Sequence, residues 1–280
     1  MFSRLLAAMA VLVMSSAIAS ADFVSPRIGG GQVMHGTAPM IHADILLTGN
    51  ALSVVLDTSH GTPLLRPLEP PNQFNPLEPW NVLIHKAYNF QYAWNPGPGL
   101  ELPADGWIWI EQTAITPGLE IYQRAPASPA WAPIFGTADS PDTWMWPGSM
   151  THNCYAVSNP DLTSYSASYR IFMADINGNE LMTGLSPTYQ STSITLTWNA
   201  TRTGDANRDG SVDDDDLSLL LANWGTQTDW SHGEFSESWP VDDDDLSLLL
   251  SHWTGSAGTI PEPATIALLL AGALGLARRR

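Results

Sequence analysis

The chain has 280 residues, with 28 Asp and Glu against 11 Lys and Arg, a formal net charge of −17. Such a surface repels phosphate backbones, which argues against nucleic acid as a partner and in favour of divalent cations. A hydrophobic fraction of 44% with 12 Trp is enough for a packed core, and the single Cys154 excludes an internal disulfide framework.

Taken in chain order, residues 1–21 read as a signal peptide. Arg4 precedes an apolar run from Leu5 to Met14, and Ala19-Ser20-Ala21 has the small-x-small form of a signal-peptidase site, with cleavage after Ala21. Ten apolar residues are too few for a bilayer span, which needs about 20. The mature chain is expected to begin near Asp22, outside the cytoplasm.

Residues 22–199 are strand-like. The segments 51–57, 106–112, 119–123, 168–174 and 191–198 are rich in β-branched and aromatic side chains, and Gly49-Asn50 and Asn177-Gly178-Asn179 are turn signals. No helix-period stretch of ten or more residues competes. The Pro-containing connections from Thr62 to Trp80 and from Ala125 to Pro147 read as long loops. These features predict a β-sandwich or jelly-roll-like domain.

Nothing in this region carries a catalytic signature: there is no G-x-S-x-G, no H-E-x-x-H and no Gly-rich phosphate loop. Thirteen carboxylates between Phe23 and Asn199 leave a glycosidase-type acid/base pair compatible with composition. Cys154 beside His152 reads as a small buried hydrophobe rather than a nucleophile. His42-x-Asp44 would put two metal ligands on one strand face, with His85 or His152 completing a zinc-type set. The plainer reading is a scatter of separate hydrogen-bonded or surface histidines. Trp107 and Trp109 are expected on one buried strand face. Trp144 and Trp146, in a Pro/Asp/Gly-rich loop, are the candidates for stacking on sugar rings.

Residues 200–256 hold an internal duplication. Val212–Leu221 and Val241–Leu250 are identical over ten residues, VDDDDLSLLL, at an offset of 29. Counting Asp205 as position one of a twelve-residue loop puts Asp205, Asn207, Asp209, Asp213 and Asp216 at positions one, three, five, nine and twelve. Gly210 falls at six, where the chain must turn, and Ser211 at seven offers its carbonyl. Calcium takes six to eight oxygens at about 2.3–2.6 Å, which this alternation supplies. The apolar run after the loop predicts one helix, with Leu217, Leu220, Leu221 and Trp224 on its inner face. The second copy is degraded: Glu234, Ser236, Ser238, Asp242 and Asp245 take the ligand positions, and Trp239 replaces the glycine. It is expected to bind weakly or not at all, while its helix packs on the first, Leu on Leu and Trp on Trp. From Thr201 to Ile260 there are 13 acidic and two basic side chains, so a cation would relieve a self-repelling segment and couple binding to folding.

A calcium loop followed by one helix, duplicated within about thirty residues, resembles the type I dockerin module. The likeness rests on Gly204-Asp205-x-Asn207-x-Asp209-Gly210-x-Val212-Asp213 and on Asp216-Leu217. It implies a small α-helical, EF-hand-like module and a cohesin-like partner. The pairs at positions ten and eleven, Asp214-Asp215 and Asp243-Asp244, differ from the hydroxyl or basic pairs usual there, which makes a local stabilising or docking role the safer implication.

The last segment, residues 261–280, reads Pro261-Glu262-Pro263, an apolar stretch from Ala264 to Ala277, then Arg278-Arg279-Arg280. A helix-breaking turn, a short hydrophobic helix and a positive stop in that order resemble the PEP-CTERM sorting signal. The resemblance implies recognition by exosortase machinery, transient inner-membrane anchoring and release to the cell surface or extracellular matrix. Together the segments predict a secreted, non-enzymatic structural or binding protein of an exopolysaccharide matrix. The alternative is a secreted polysaccharide-active enzyme of the glycoside hydrolase type, or a carbohydrate-binding module.

Overall fold

The computed structural model describes residues 22–30, 38–69, 72–124, 131–236 and 240–255. It is mainly β, with two short α-helices near the C-terminal end. The strands are β1 (Asp22–Val24), β2 (Ile41–Thr48), β3 (Ala51–Leu56), β4 (Leu64–Leu65), β5 (Asn72–Phe74), β6 (Lys86–Asn89), β7 (Tyr92–Pro96), β8 (Trp107–Ile115) and β9 (Leu119–Arg124). They continue with β10 (Trp131–Ile134), β11 (Thr143–Met145), β12 (Thr151–His152), β13 (Cys154–Ser158), β14 (Ser164–Ala174), β15 (Met182–Thr183), β16 (Ser186–Pro187) and β17 (Thr192–Ala200). The helices are α1 (Asp214–Ala222) and α2 (Asp243–Ser251).

Three larger sheets build the β-region, β11-β8-β14-β17-β4, β10-β9-β13-β6 and β12-β7-β2-β3, beside the two-stranded pairs β1-β5 and β15-β16. Period-2 alternation decides their inner faces. In β8 it buries Ile108 and Ile110, in β14 Tyr165, Ala167, Tyr169 and Ile171, and in β2 Ile41, Ala43 and Ile45. These side chains share one core, centred on Trp198, whose ring lies 4.2 Å from Tyr155 and 5.2 Å, edge-on, from Tyr92. Strand β13 is buried on both faces. Tyr155 and Val157 enter that core, while Cys154 and Ala156 enter a second cluster with Leu83, Tyr88, Phe90 and Trp131.

The segments expected as strands are found, with ends shifted by a few residues, and the two turn signals lie where strands reverse. Gly49 takes φ 62° between β2 and β3. Asp175 accepts from the backbone N–H groups of Asn177 and Asn179, closing the turn after β14. Three expectations need correction. The stretches 62–80 and 125–147 are not plain loops: within them lie β4, β5, β10 and β11. Trp107 and Trp109 are only half-buried, because the inward positions of β8 belong to Ile108 and Ile110; Trp109 donates to Asp175 O instead. Trp144 and Trp146 are no sugar platform. They are 7% and 1% exposed, with their indole N–H groups donated to Gln123 Oε1 and Ser149 O.

Among the described residues no helix is long and apolar enough to cross a membrane. The signal segment, its Ala21 cleavage site and the C-terminal segment from residue 256 lie outside the described residues.

Candidate metal centre

The duplicated segment folds as two loop–helix units. Each helix begins with a reciprocal capping box. The Asp213 side chain caps α1 while Asp216 reaches back to the backbone N–H of Asp213 at 2.9 Å, and Asp242 and Asp245 repeat this on α2. Two further aspartates in each first turn, Asp214 and Asp215 on α1 and Asp243 and Asp244 on α2, complement the helix dipole. An acidic run that repels itself in an extended chain is thus also a strong helix start.

In the first loop Asp205, Asn207, Asp209 and Asp216 each accept backbone N–H groups of the loop, while Asp213 accepts from Asp215 N at the start of α1. Asp205 is buried, and its carboxylate accepts from the N–H groups of Asp209 (3.1 Å) and Gly210 (3.0 Å). Asp216, wholly buried, accepts from Ala206 (2.8 Å) and Asn207 (3.2 Å) across the loop. Asn207 Oδ1 and Asp209 Oδ1 accept from Asp209 N and Ser211 N. Gly210 takes φ 92°, the left-handed turn its position demands. Burial raises the Asp205 carboxyl above its usual range, and the charges of Asp216 and Asp209 push it the same way. Of the two arginines near by, Arg202 donates to a carbonyl of the loop itself, Gly210 O, and Arg208 lies 3.9 Å from Glu69.

The second loop copies the frame of the first. Asp245 accepts from Phe235 (2.7 Å) and Ser236 (2.8 Å), as Asp216 does from Ala206 and Asn207. Glu234 is buried at position one and accepts from Ser236 Oγ. Ser238 and Trp239 lie outside the described residues. Among the described residues no three His, Cys, Asp or Glu side chains are gathered as a metal-holding cluster. The carboxylates of both frames are aimed first at backbone N–H groups.

The two units clasp each other. Val212, at position eight, accepts from the N–H groups of Thr254 and Gly255 beyond α2, and Val241 accepts from Gly225 beyond α1. Val212 N donates in turn to Thr254 Oγ1, and Val241 N to Thr226 O. Gly204 approaches Leu249, and Gly233 approaches Leu220. The helices bury Leu220 and Leu249 against Val212, Val241, Trp230 and Phe235. Leu on Leu packing is present, but Trp on Trp is not: Leu221 and Trp224 are 54% and 42% exposed, and the inner face of α1 is Asp216, Leu217 and Leu220. The capping carboxylate takes a place on that face which apolar periodicity assigns to leucine. Sequence reasoning missed Gly233 and Trp230, whose indole donates to Asp205 O at 3.1 Å. The offset of 29, carried one residue upstream, maps Gly204 onto Gly233 and would have found the first.

The three histidines of the expected zinc-type set lie in two places. His85 lines a cleft of about 500 Å³ between the β-region and the repeat, with Asn159, Thr203, Trp230 and Asp244. His42 and His152 lie on the outer face of the β12-β7-β2-β3 sheet, both in register with Ala93. Asp44 accepts from Asn95 Nδ2 at 2.7 Å. Among the described residues the zinc-type set of His42 and Asp44 with His85 or His152 is not assembled. Burial pulls His152 below the usual imidazole range. Cys154 is fully buried, its thiol pushed well up by burial, and the neighbouring His152 bonds to Phe90 O at 2.8 Å.

No curated protein and no solved structure matches the chain. Residues 259–280 match the PEP-CTERM protein-sorting motif, which supports an exported protein sorted by exosortase to the cell surface.

Proposed function

We propose that this exported chain is a non-enzymatic structural or binding protein of the surface matrix, in which a calcium ion orders the acidic repeat beside the β-region. The observation that carries the reading is the pair Asp205 and Asp216. Two buried carboxylates share one loop, and the pKa of Asp205 is raised by burial and by the charge of Asp216. A hard divalent cation suits such a donor set. Asp205, Asn207, Asp209, Asp213 and Asp216 would hold it, with the carbonyl of Ser211. The frame around Glu234, Ser236 and Asp245 would bind more weakly, having hydroxyls where the first loop has carboxylate or amide.

A polysaccharide-stacking role has less support, since Trp144 and Trp146 are core residues. Four carboxylates of the β-region sit in ion pairs: Glu69 with Arg66, Glu120 with Lys86, and Glu111 and Glu180 with Arg170. Those pairings read as sheet fastening, not acid/base chemistry.

Titration calorimetry with calcium on the exported protein tests the reading. The expected result is one tight site, a chelator-reversible rise in melting temperature, and loss of both in Asp205→Asn. No heat and no shift in the wild type would overturn it.

A further inference from the structure

The outer face of the β12-β7-β2-β3 sheet carries three metal-ligating side chains that the calcium reading does not use. His42 pairs with Ala93 in the parallel β2-β7 ladder, and His152 pairs with the same Ala93 in the antiparallel β12-β7 ladder. Residues opposite one another in register share a face, so the two imidazoles flank one alanine methyl. Ala93 is 1% exposed, so this spot is covered.

Both ring Nε2 atoms are buried and have no hydrogen-bond partner. For His152 the tautomer follows from its other nitrogen. Nδ1 lies 2.8 Å from Phe90 O, a carbonyl that can only accept, so Nδ1 carries the proton and Nε2 presents a bare lone pair. A backbone carbonyl fixing one ring nitrogen while the other is left open is the usual support of a metal-bound histidine.

The third group, Met40, stands just before β2 and meets His152 beside Gly29. A Cβ placed on Gly29 would stand 3.2 Å from His152 Nε2 and 3.3 Å from Met40 Sδ, so the thioether and the open nitrogen border one small space. Gly29 holds φ 89°, and its missing side chain keeps that space open. Met40 lies two residues before His42, so along an extended chain it shares that residue's face.

We propose that His42 Nε2, His152 Nε2 and Met40 Sδ bind a copper(I) ion on the outer face of this sheet. Two imidazoles suit copper, zinc and nickel alike, and the thioether tips the choice to the soft monovalent ion. The site is independent of the acidic repeat, whose oxygens select hard cations.

The test is competition for copper(I) between the exported protein and a chromophoric chelator, under reductant and with calcium saturating. Silver(I) serves as a redox-inert probe and zinc(II) as the comparison. One copper(I) per chain is expected. Affinity should fall about 100-fold in His42→Gln and in His152→Gln, and about tenfold in Met40→Leu with zinc binding unchanged. Circular dichroism of the metal-free variants reports whether they fold. If His152→Gln does not, the silver-induced shift of the His152 ring proton signals in the wild type reads the same contact. The proposal is overturned by no copper(I) or silver(I) binding, by unchanged affinity in His42→Gln and Met40→Leu, or by preference for zinc. Loss of copper binding in Asp205→Asn would also overturn it, by placing the ion in the repeat.

Discussion

The backbone of Gly233 lies so close to α1 that a methyl group on it would stand 2.5 Å from Leu220 Cα. Its counterpart 29 residues upstream, Gly204, would place one 3.0 Å from Leu249 Cα on α2. Each loop therefore begins by laying bare backbone on the other unit's helix, and neither unit is complete alone. Gly233→Ala must move a helix backbone and also strain a φ of 97°. It is expected to cost about 2–3 kcal/mol. Gly204→Ala, with more room at its helix, should cost less. Urea unfolding followed by circular dichroism ranks the two.

The Asp216 carboxylate caps α1 and ties three backbone N–H groups of the loop, those of Ala206, Asn207 and Asp213. Asp216→Ala leaves buried donors unpaired and should cost about 2–3 kcal/mol without any metal present. Asp214→Ala and Asp215→Ala, at exposed first-turn positions, should stay within about 0.5 kcal/mol. Equal effects at all three positions would mean that the run acts only through its summed charge. Melting of the three variants in chelator distinguishes these outcomes.

Asp205 gives the repeat a pH signature. Its folded pKa is raised, so the folded loop holds the proton more tightly than the unfolded chain does. Stability from this group is present below the ordinary carboxylate range and is lost as pH rises through the folded pKa. In chelator, raising the pH through that window should therefore lower the melting temperature. In calcium the trend should reverse, because the ion binds the deprotonated form. Asp205→Asn should flatten both curves, which separates this group from general charge repulsion.

Cys154 lies between β6 and β9 with no exposed surface, its thiol pushed well up by burial. A thiol reagent should leave the native protein untouched over the pH range in which free cysteines react, and should label it fully in guanidinium. Fast labelling of native protein would show that the second core opens locally. Absorbance of the released reagent follows the reaction.

The long alternating strands were readable because one residue in two carries the decision. Ile108 and Ile110 mark β8, and Tyr165, Ala167 and Tyr169 mark β14. Strand β2 is absent from the five segments that read as strands, although His42-x-Asp44 reads as one strand face, because His42 and Asp44 occupy its outer positions and dilute the apolar run. Strand β13 is buried on both faces and so has no period to find. Trp144 and Trp146 looked like loop residues because Pro and Gly surround them, yet tertiary packing draws both into the core. In the repeat, the spacing from Asp205 to Asp216 revealed the loop. The clasp between Val212 and Thr254 joins residues 42 positions apart, and no local pattern reports a pairing of that range.

That clasp has a mechanical consequence. The sorting motif at 259–280 begins four residues after Gly255, whose N–H, like that of Thr254, is bonded to Val212 O in the first loop. A pull applied to the chain at this motif would reach these bonds before it reached either helix. The load would fall on the rim of the first loop, so a filled loop would set the force at which the repeat comes undone.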